Sequence, residues 1–402
     1  MPFSVDTTMA ATRSSPPSVC FVGLGNLPML TREFATRRAG GAELQQTLLA
    51  KALARRGWPV SMIVADYGQP DGAAWDGVRT IKAYRPDEGI PVVRFLYPRW
   101  TKLHSAMARA DAQIYYTSCA GAHLAQVVLF AKPRGRRVIF RIASNSDCDP
   151  GESLVQYWRD KVLYRYGLAR ADVVLAQTAH QQRALSENFA KAARIAPALI
   201  ERAGRCRGFD ERDIDALWVG NIRSVKRPDL LLEVARKLPD IRFHMVGGPM
   251  PGADRLFEAT RLEAARLPNV RFHGAVPHHD VHALYERTRM LVSTSEVEGF
   301  PNTYLQAWSH GAPVAGFLDP DGLLQAHGMG RAVRTVEELC AAVATLSRDG
   351  AQWQQASARA RDYMERRCDE EKALGPYIAA LTGMRGASPD MQPAAEAPVI
   401  RG

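Results

Sequence analysis

The chain predicts an α/β protein of two Rossmann-like domains facing a cleft, and three observations carry that expectation. Its 402 residues are too many for one ordinary core. Short apolar runs alternate with amphipathic stretches along most of its length, as in doubly wound sheets. The alternation breaks once, over 196–213 (APALIERAGRCRGFDERD), where a Pro and several Arg follow no period. That stretch reads as the linker between domains.

The elements follow in chain order. Residues 1–17 lack the apolar core of a signal peptide and read as a disordered leader. The first domain, 18–195, opens with a buried strand over 19–23. Residues 43–56 place Leu44, Leu48, Leu49 and Leu53 on one helical face. Strands are expected at 60–65, 112–116, 137–142 and 173–176, with helices at 121–131 and 156–168. In the second domain, 214–367, strands are expected at 214–219, 241–246, 270–273 and 290–293. Its helices are expected at 228–237, 255–266, 335–348 and 352–367. A last helix over 368–382 is a candidate to cross back to the first domain. The tail 383–402, rich in Pro, Ala and Gly, reads as disordered.

Composition narrows the class. Hydrophobic residues make up 46% and charged residues 23%, the mix of a water-exposed globular chain. Cys20, Cys119, Cys148, Cys206, Cys340 and Cys368 form no C-x-x-C pair, which argues against a disulfide framework and fits a reducing cytoplasm. No apolar run has the length of a membrane span. The net charge of +10 lies entirely in the first half: residues 1–200 carry 26 Lys+Arg against 15 Asp+Glu, and the remainder 26 against 27. Such a surface attracts an anionic membrane or a phosphorylated acceptor. Its basic residues are spread rather than gathered into an arm, which speaks against nucleic acid. Plain solubility accounts for the charge equally well.

Four segments carry chemistry. In 290–313 a strand runs into Glu296 and Glu298, then Gly299-Phe300-Pro301-Asn302, then a helix holding Leu305, Gln306 and Trp308. A helix start offers free N–H groups to a phosphate, and neighbouring carboxylates suit sugar hydroxyls. In 218–228 a strand ends at Gly220 and a helix begins at Pro228. Asn221, Arg223, Lys226 and Arg227 lie between them, three of them cations suited to a diphosphate. Gly40-Gly41-Ala42-Glu43 is a glycine pair feeding a helix, open to close ligand approach or to simple capping. Arg141 to Asp149 offers Asn145, Asp147 and Asp149 as acceptor-gripping groups or as a turn held by Asx side chains. Thr178, His180 and Gln181 end another strand and are further cleft candidates. Gly248 and Gly274 end two strands where a base could rest, and would serve as well as turns.

Taken together, these segments resemble the signature of retaining, nucleotide-sugar-dependent glycosyltransferases of the GT-B fold, family 4. The resemblance implies that Glu298 accepts hydrogen bonds from the donor sugar. Gly299, Phe300, Pro301 and Asn302 would meet sugar and phosphate, with Gly40 and Gly41 bordering the phosphates. It implies that Lys226 stabilises the departing diphosphate. The family Arg position holds Asn221, with Arg223 as the substitute, and the family's second Glu is Gln306. The family His after the strand at 137–142 has no counterpart, and no double-displacement pair of carboxylates stands out.

The resemblance further implies a nucleotide diphosphate sugar as donor and no cofactor; the missing carboxylate pair points to front-face attack, and the loop cations make a metal unnecessary. The partners would be a nucleotide sugar and, if the basic domain faces a membrane, a lipid-linked acceptor at the inner face. That places the protein in the cytoplasm, peripheral to the membrane, in polysaccharide or glycolipid biosynthesis. A nucleotide-sugar epimerase of the same fold, a catalytically degenerate scaffold and a two-domain binding protein are the rivals.

Overall fold

The computed structural model describes residues 15–34, 40–90, 93–151, 155, 157–201, 204–250, 252–367 and 370–384. Most of the expected leader and nearly all of the expected tail lie outside them.

The first domain holds strands β1 (Val19–Val22), β2 (Val60–Val64), β3 (Ala74–Trp75), β4 (Val78–Lys82), β5 (Ile114–Ser118), β6 (Arg137–Arg141), β7 (Val173–Ala176) and β8 (Arg194–Ile195). Its helices are α1 (Leu27–Leu30), α2 (Gly41–Arg55), α3 (Thr101–Ala110), α4 (Ala122–Ala131), α5 (Trp158–Arg170) and α6 (Ala179–Phe189). The strand order is β3-β4-β2-β1-β5-β6-β7-β8, parallel except for β3 against β4. Period-2 alternation sends Val19 and Phe21 into the core on one face and Cys20 and Val22 into the core on the other. Strands buried on both faces read as short apolar runs, which is why the sequence displays them. The β3–β4 hairpin was not among the expected elements. It turns on Asp76 and Gly77, both at positive φ, a turn that Asp-Gly suits.

The second domain holds β9 (Ile214–Val219), β10 (Phe243–Val246), β11 (Val270–Gly274), β12 (Thr288–Ser293), β13 (Val314–Gly316) and β14 (Gly330–Ala332). Its helices are α7 (Pro228–Lys237), α8 (Asp254–Ala264), α9 (His278–Arg287), α10 (Asn302–Ser309), α11 (Leu323–His327), α12 (Val336–Arg348) and α13 (Gly350–Arg367). Its sheet is parallel in the order β11-β10-β9-β12-β13-β14. In both sheets the order reverses beside the first strand, between β1 and β5 and between β9 and β12. Ligands of such folds bind at the carboxyl ends of the strands there.

The last helix, α14 (Glu370–Thr382), leaves the second domain and packs on the first. Leu374, Tyr377, Ala380 and Leu381 join the cluster containing Phe21, Tyr116 and Leu175. The Arg137 guanidinium donates to the Leu381 and Ala380 carbonyls at 2.7 and 2.8 Å, closing the helix end. The end of the linker is anchored as well. Buried Arg212 donates to the carbonyls of Thr288 (2.5 Å), His310 (2.6 Å) and Arg207 (2.9 Å), which anchors it to the second domain without a carboxylate.

Candidate active site

Two loops at the β9/β12 reversal build the site. The loop after β9 extends the strand: Ile222 N–H donates to Gly248 O at 2.9 Å, and the Ile222 side chain is fully buried. Alternation therefore turns Asn221 and Arg223 away from that core. The loop after β12 is stitched to the first. Trp218 Nε1 donates to Thr294 Oγ1 at 2.9 Å, Thr294 Oγ1 donates to Lys226 O at 2.7 Å, and Glu296 N–H donates to Val225 O at 2.9 Å. This stitching sets Lys226 Nζ against Glu298 Oε1 as an ion pair, each side chain about one-fifth exposed. Of the three loop cations, Arg227 is taken by Glu296 (2.5 Å) and Asp229 (2.8 Å). Among the described residues, Arg223 makes no ion pair and its side chain no hydrogen bond. Glu296 thus serves the rim of the loop.

Gly299, Phe300 and Pro301 lead into α10, which no side chain caps. Its first N–H groups therefore stand without a side-chain acceptor, as a phosphate site needs. Gly299 is pressed against the first domain. A Cβ there would lie 2.3 Å from the Ala143 carbonyl oxygen, and Asn145 N–H donates to Glu298 O at 3.0 Å. Asn302 spans the cleft as well, its Oδ1 accepting from Gln45 Nε2 and its Nδ2 donating to Gly41 O, both at 2.9 Å. Glycine at 41 leaves room for that amide, since a Cβ would sit 2.4 Å from Asn302 Nδ2 and displace it. Ala179 N–H adds a 3.1 Å bond to Asp321 across the same cleft. At the ends of β10 and β11 Gly247 N–H donates to Gly274 O at 2.8 Å, Gly274 has φ +66°, and Gly248 lies against Ala275.

Several expectations need correction. Gly40 N–H is held by Glu43 Oε2 at 3.0 Å, the Glu reaching back to the residue before its helix, so that N–H is not open to a phosphate. Asp147 does not reach for an acceptor. Its carboxylate accepts from Ala143 N–H (2.9 Å) and Ser144 N–H (3.2 Å), and burial raises its pKa against those bonds. Asp149 folds back in an Asx turn onto Gly151 N–H at 2.7 Å. Asn145 Oδ1 accepts from Gln181 Nε2 at 3.1 Å, and Thr178 caps α6. The segment at 143–151 is thus a shaped turn in which the Asn145, Asp147 and Asp149 side chains bond to neighbouring groups of the same domain. Gln306 is also engaged, its Oε1 accepting from the buried Tyr285 hydroxyl at 3.2 Å. His180 faces solvent.

Residues the sequence reading passed over complete the neighbourhood. Gln45 joins Asn302 to the Leu199 carbonyl (2.9 Å), and Gln177 Nε2 donates to Ile142 O at 2.9 Å beneath Gly299. Glu201, His278 and His282 gather at the margin of the interdomain cavity lined by Gln45, Asn302, Leu305 and Gln306.

Comparison with known proteins places both halves. Residues 40–198 match the "Glycosyl transferase 4-like domain" family and residues 213–349 the family "Glycosyl transferases group 1". A D-inositol 3-phosphate glycosyltransferase of Mycobacterium sp. (strain KMS) is 32% identical over 111 residues, 27% of this chain and 25% of that protein. The match thus spans a quarter of the curated relatives' length. Among solved structures, sucrose-phosphate synthase from Thermosynechococcus elongatus superposes with a TM-score of 0.71 at 20% identity, covering 91% of this chain and 97% of that one. Anabaena HepE, solved with UDP and glucose, gives 0.68 at 14% identity, covering 92% and 100%. WaaG, a glycosyltransferase involved in lipopolysaccharide biosynthesis, gives 0.67 at 14% identity, covering 91% and 100%. At these identities the structural likeness is one of fold, GT-B in each case.

Proposed function

Because the chain belongs to the group 1 glycosyltransferases, we propose that it moves a sugar from a nucleotide diphosphate sugar to an acceptor hydroxyl with retained configuration. The observation that carries this reading is the Lys226–Glu298 pair at the β9/β12 reversal, with Arg223 beside it on the same loop. When donor enters, its diphosphate draws Lys226 and Arg223, and Glu298 is released to accept from the sugar hydroxyls. Negative charge building on the leaving diphosphate then meets preorganised cations and the α10 N-terminus. These cations supply the role a metal would play in the chemical step, so we assign it none. The first-domain backbone at 143–145 closes over Gly299 and keeps water from the bond being broken. The leaving phosphate serves as the base for the acceptor hydroxyl, and Glu298 positions the sugar without attacking it.

The acceptor we propose is lipid-linked, presented at an anionic membrane. No helix among the described residues is long and apolar enough to cross one. The first domain instead exposes Ile90 (74%), Leu96, Tyr97, Tyr157, Trp158 (77%) and Val162. Arg159 stacks on Phe95 at 3.7 Å and joins the two segments, and Arg94, Lys161 and Arg165 flank them. Apolar residues ringed by basic ones suit an interfacial position.

Two experiments test the reading. Thermal unfolding against a panel of nucleoside diphosphates without added metal is expected to shift with one base. Transfer of labelled sugar to a lipid extract is expected to fall at least about 100-fold in Lys226→Ala and in Glu298→Ala, with each still folded. Normal transfer in either variant would end the assignment, and turnover of donor without acceptor would favour an epimerase.

A further inference from the structure

The geometry points to a transition-metal site in the hinge, separate from the chemical step: Glu201, His278 and His282 bind one divalent ion of the zinc class. Glu201 comes from the interdomain linker, and the two histidines lie four residues apart on α9, hence on one helical face. Glu201 Oε2 stands 2.7 Å from His278 Nε2 and 3.4 Å from His282 Nε2, and all three ligand atoms lie within 4.8 Å of one another. Ligands about 2.0–2.1 Å from a tetrahedral ion are roughly 3.3 Å apart, so small side-chain rotations convert the cluster into a binding set.

A second observation supports it. His282 Nδ1 lies 3.1 Å from His310 Nε2, and His310 is fully buried and stacked on Tyr285. With His310 occupying Nδ1, Nε2 of His282 is the nitrogen left facing Glu201, the outer-shell arrangement that orients metal-bound imidazoles. The three side chains are each partly exposed, 14–25%, so solvent water can supply the fourth ligand. Two imidazoles and one carboxylate select zinc-class ions over magnesium or calcium, which prefer all-oxygen shells. The bound ion would tie the linker to α9 beside the cavity that Asn302 and Gln306 line. This inference does not depend on the sugar-transfer reading.

The test uses the full-length, untagged chain, stripped with chelator and titrated with Zn²⁺ or Co²⁺. The expected result is about one equivalent bound, a thermal midpoint raised by several degrees, and for Co²⁺ the visible absorption of a four-coordinate ion. Glu201→Gln, which keeps a hydrogen-bonding side chain beside His278, and His282→Gln are each expected to weaken binding more than about tenfold. His310→Gln is expected to weaken it about 10- to 100-fold with every ligand in place. Failure of the stripped chain to take up either ion would overturn the site, as would Glu201→Gln binding with wild-type affinity. If His282→Gln fails to fold, Glu201→Gln decides.

Discussion

Replacing Gly299 with alanine places a Cβ 2.3 Å from the Ala143 carbonyl oxygen and 2.7 Å from Gln177 Nε2. One obstacle is main chain of the opposite domain, which no rotamer change relieves. The two backbones must part by about 0.7 Å before the first contact reaches 3.0 Å, the shortest that real Cβ atoms tolerate. The Asn145–Glu298 bond, 3.0 Å in the intact protein, would stretch to about 3.7 Å and cease to be a hydrogen bond. Losing one such bond costs about 1 kcal/mol, a factor of about five in the closed-to-open ratio. Displacement by most of an ångström at the reacting centre can cost up to about 100-fold in rate. Turnover is therefore expected to fall between about 5- and 100-fold in Gly299→Ala. Because the clash falls on the contact between the domains and costs about one hydrogen bond, the ligand-free thermal midpoint is expected to move by less than about 4 °C. The assay pairs initial rates with small-angle scattering, which should show a more open chain. Wild-type turnover, or scattering as compact as wild type, would refute the reasoning.

Other perturbations separate the parts of the site. Arg223→Ala is expected to weaken nucleoside diphosphate binding about tenfold or more in calorimetry. The ligand-free protein should melt as before, since that side chain makes no bond among the described residues. Gln306→Glu restores a charged acceptor while still receiving the Tyr285 hydroxyl, and is expected to tighten nucleoside diphosphate binding about fivefold if the ribose reaches it. Stability is expected to respond to pH through His244 of β10. Burial first, then His273, Arg271 and Arg287, depress its pKa from 6.5 to about 4 against the opposing pull of Asp213. Because the unfolded chain takes up that proton more readily, the contribution is intact above pH 6.5 and is lost as pH falls towards 4. Urea midpoints at several pH values should show that slope, and His244→Gln should reduce it, leaving the part due to buried His310, whose pKa burial likewise depresses to about 4.

The fold was legible because parallel strands announce themselves as apolar runs and the helices between them keep a period. Pro228 and Thr335 mark helix starts in plain sight. Lys226 and Glu298 were picked out by the resemblance, each in a short loop directly after a strand, and the structure brings the two side chains together. What stayed hidden depends on residues far apart in the chain. Nothing near Asp147 says whether its carboxylate turns outward or folds back onto Ala143 and Ser144. Gln45 and Asn302 are 257 positions apart, and Glu201 and His278 are 77 apart. The i,i+4 histidines could have been noticed, but their carboxylate lies in an aperiodic stretch. The Asp76-Gly77 turn was readable and simply fell between stronger signals.

The return of α14 to the first sheet has a consequence for how the molecule comes into being. A ribosome completes the second domain before the helix that covers Phe21, Tyr116 and Leu175 has been made. Until then the nascent first domain presents an uncovered apolar face, and Arg137 lacks the Ala380 and Leu381 carbonyls it binds in the finished protein. The two domains are consequently not separable units of expression. Cutting the gene at the linker would yield a first half that is greasy and prone to clump, and co-expressing 370–384 as a free peptide would not restore the tether. Maturation of the first domain waits for the last helix of the described chain, so premature termination anywhere upstream would damage that domain even though its own coding region is intact.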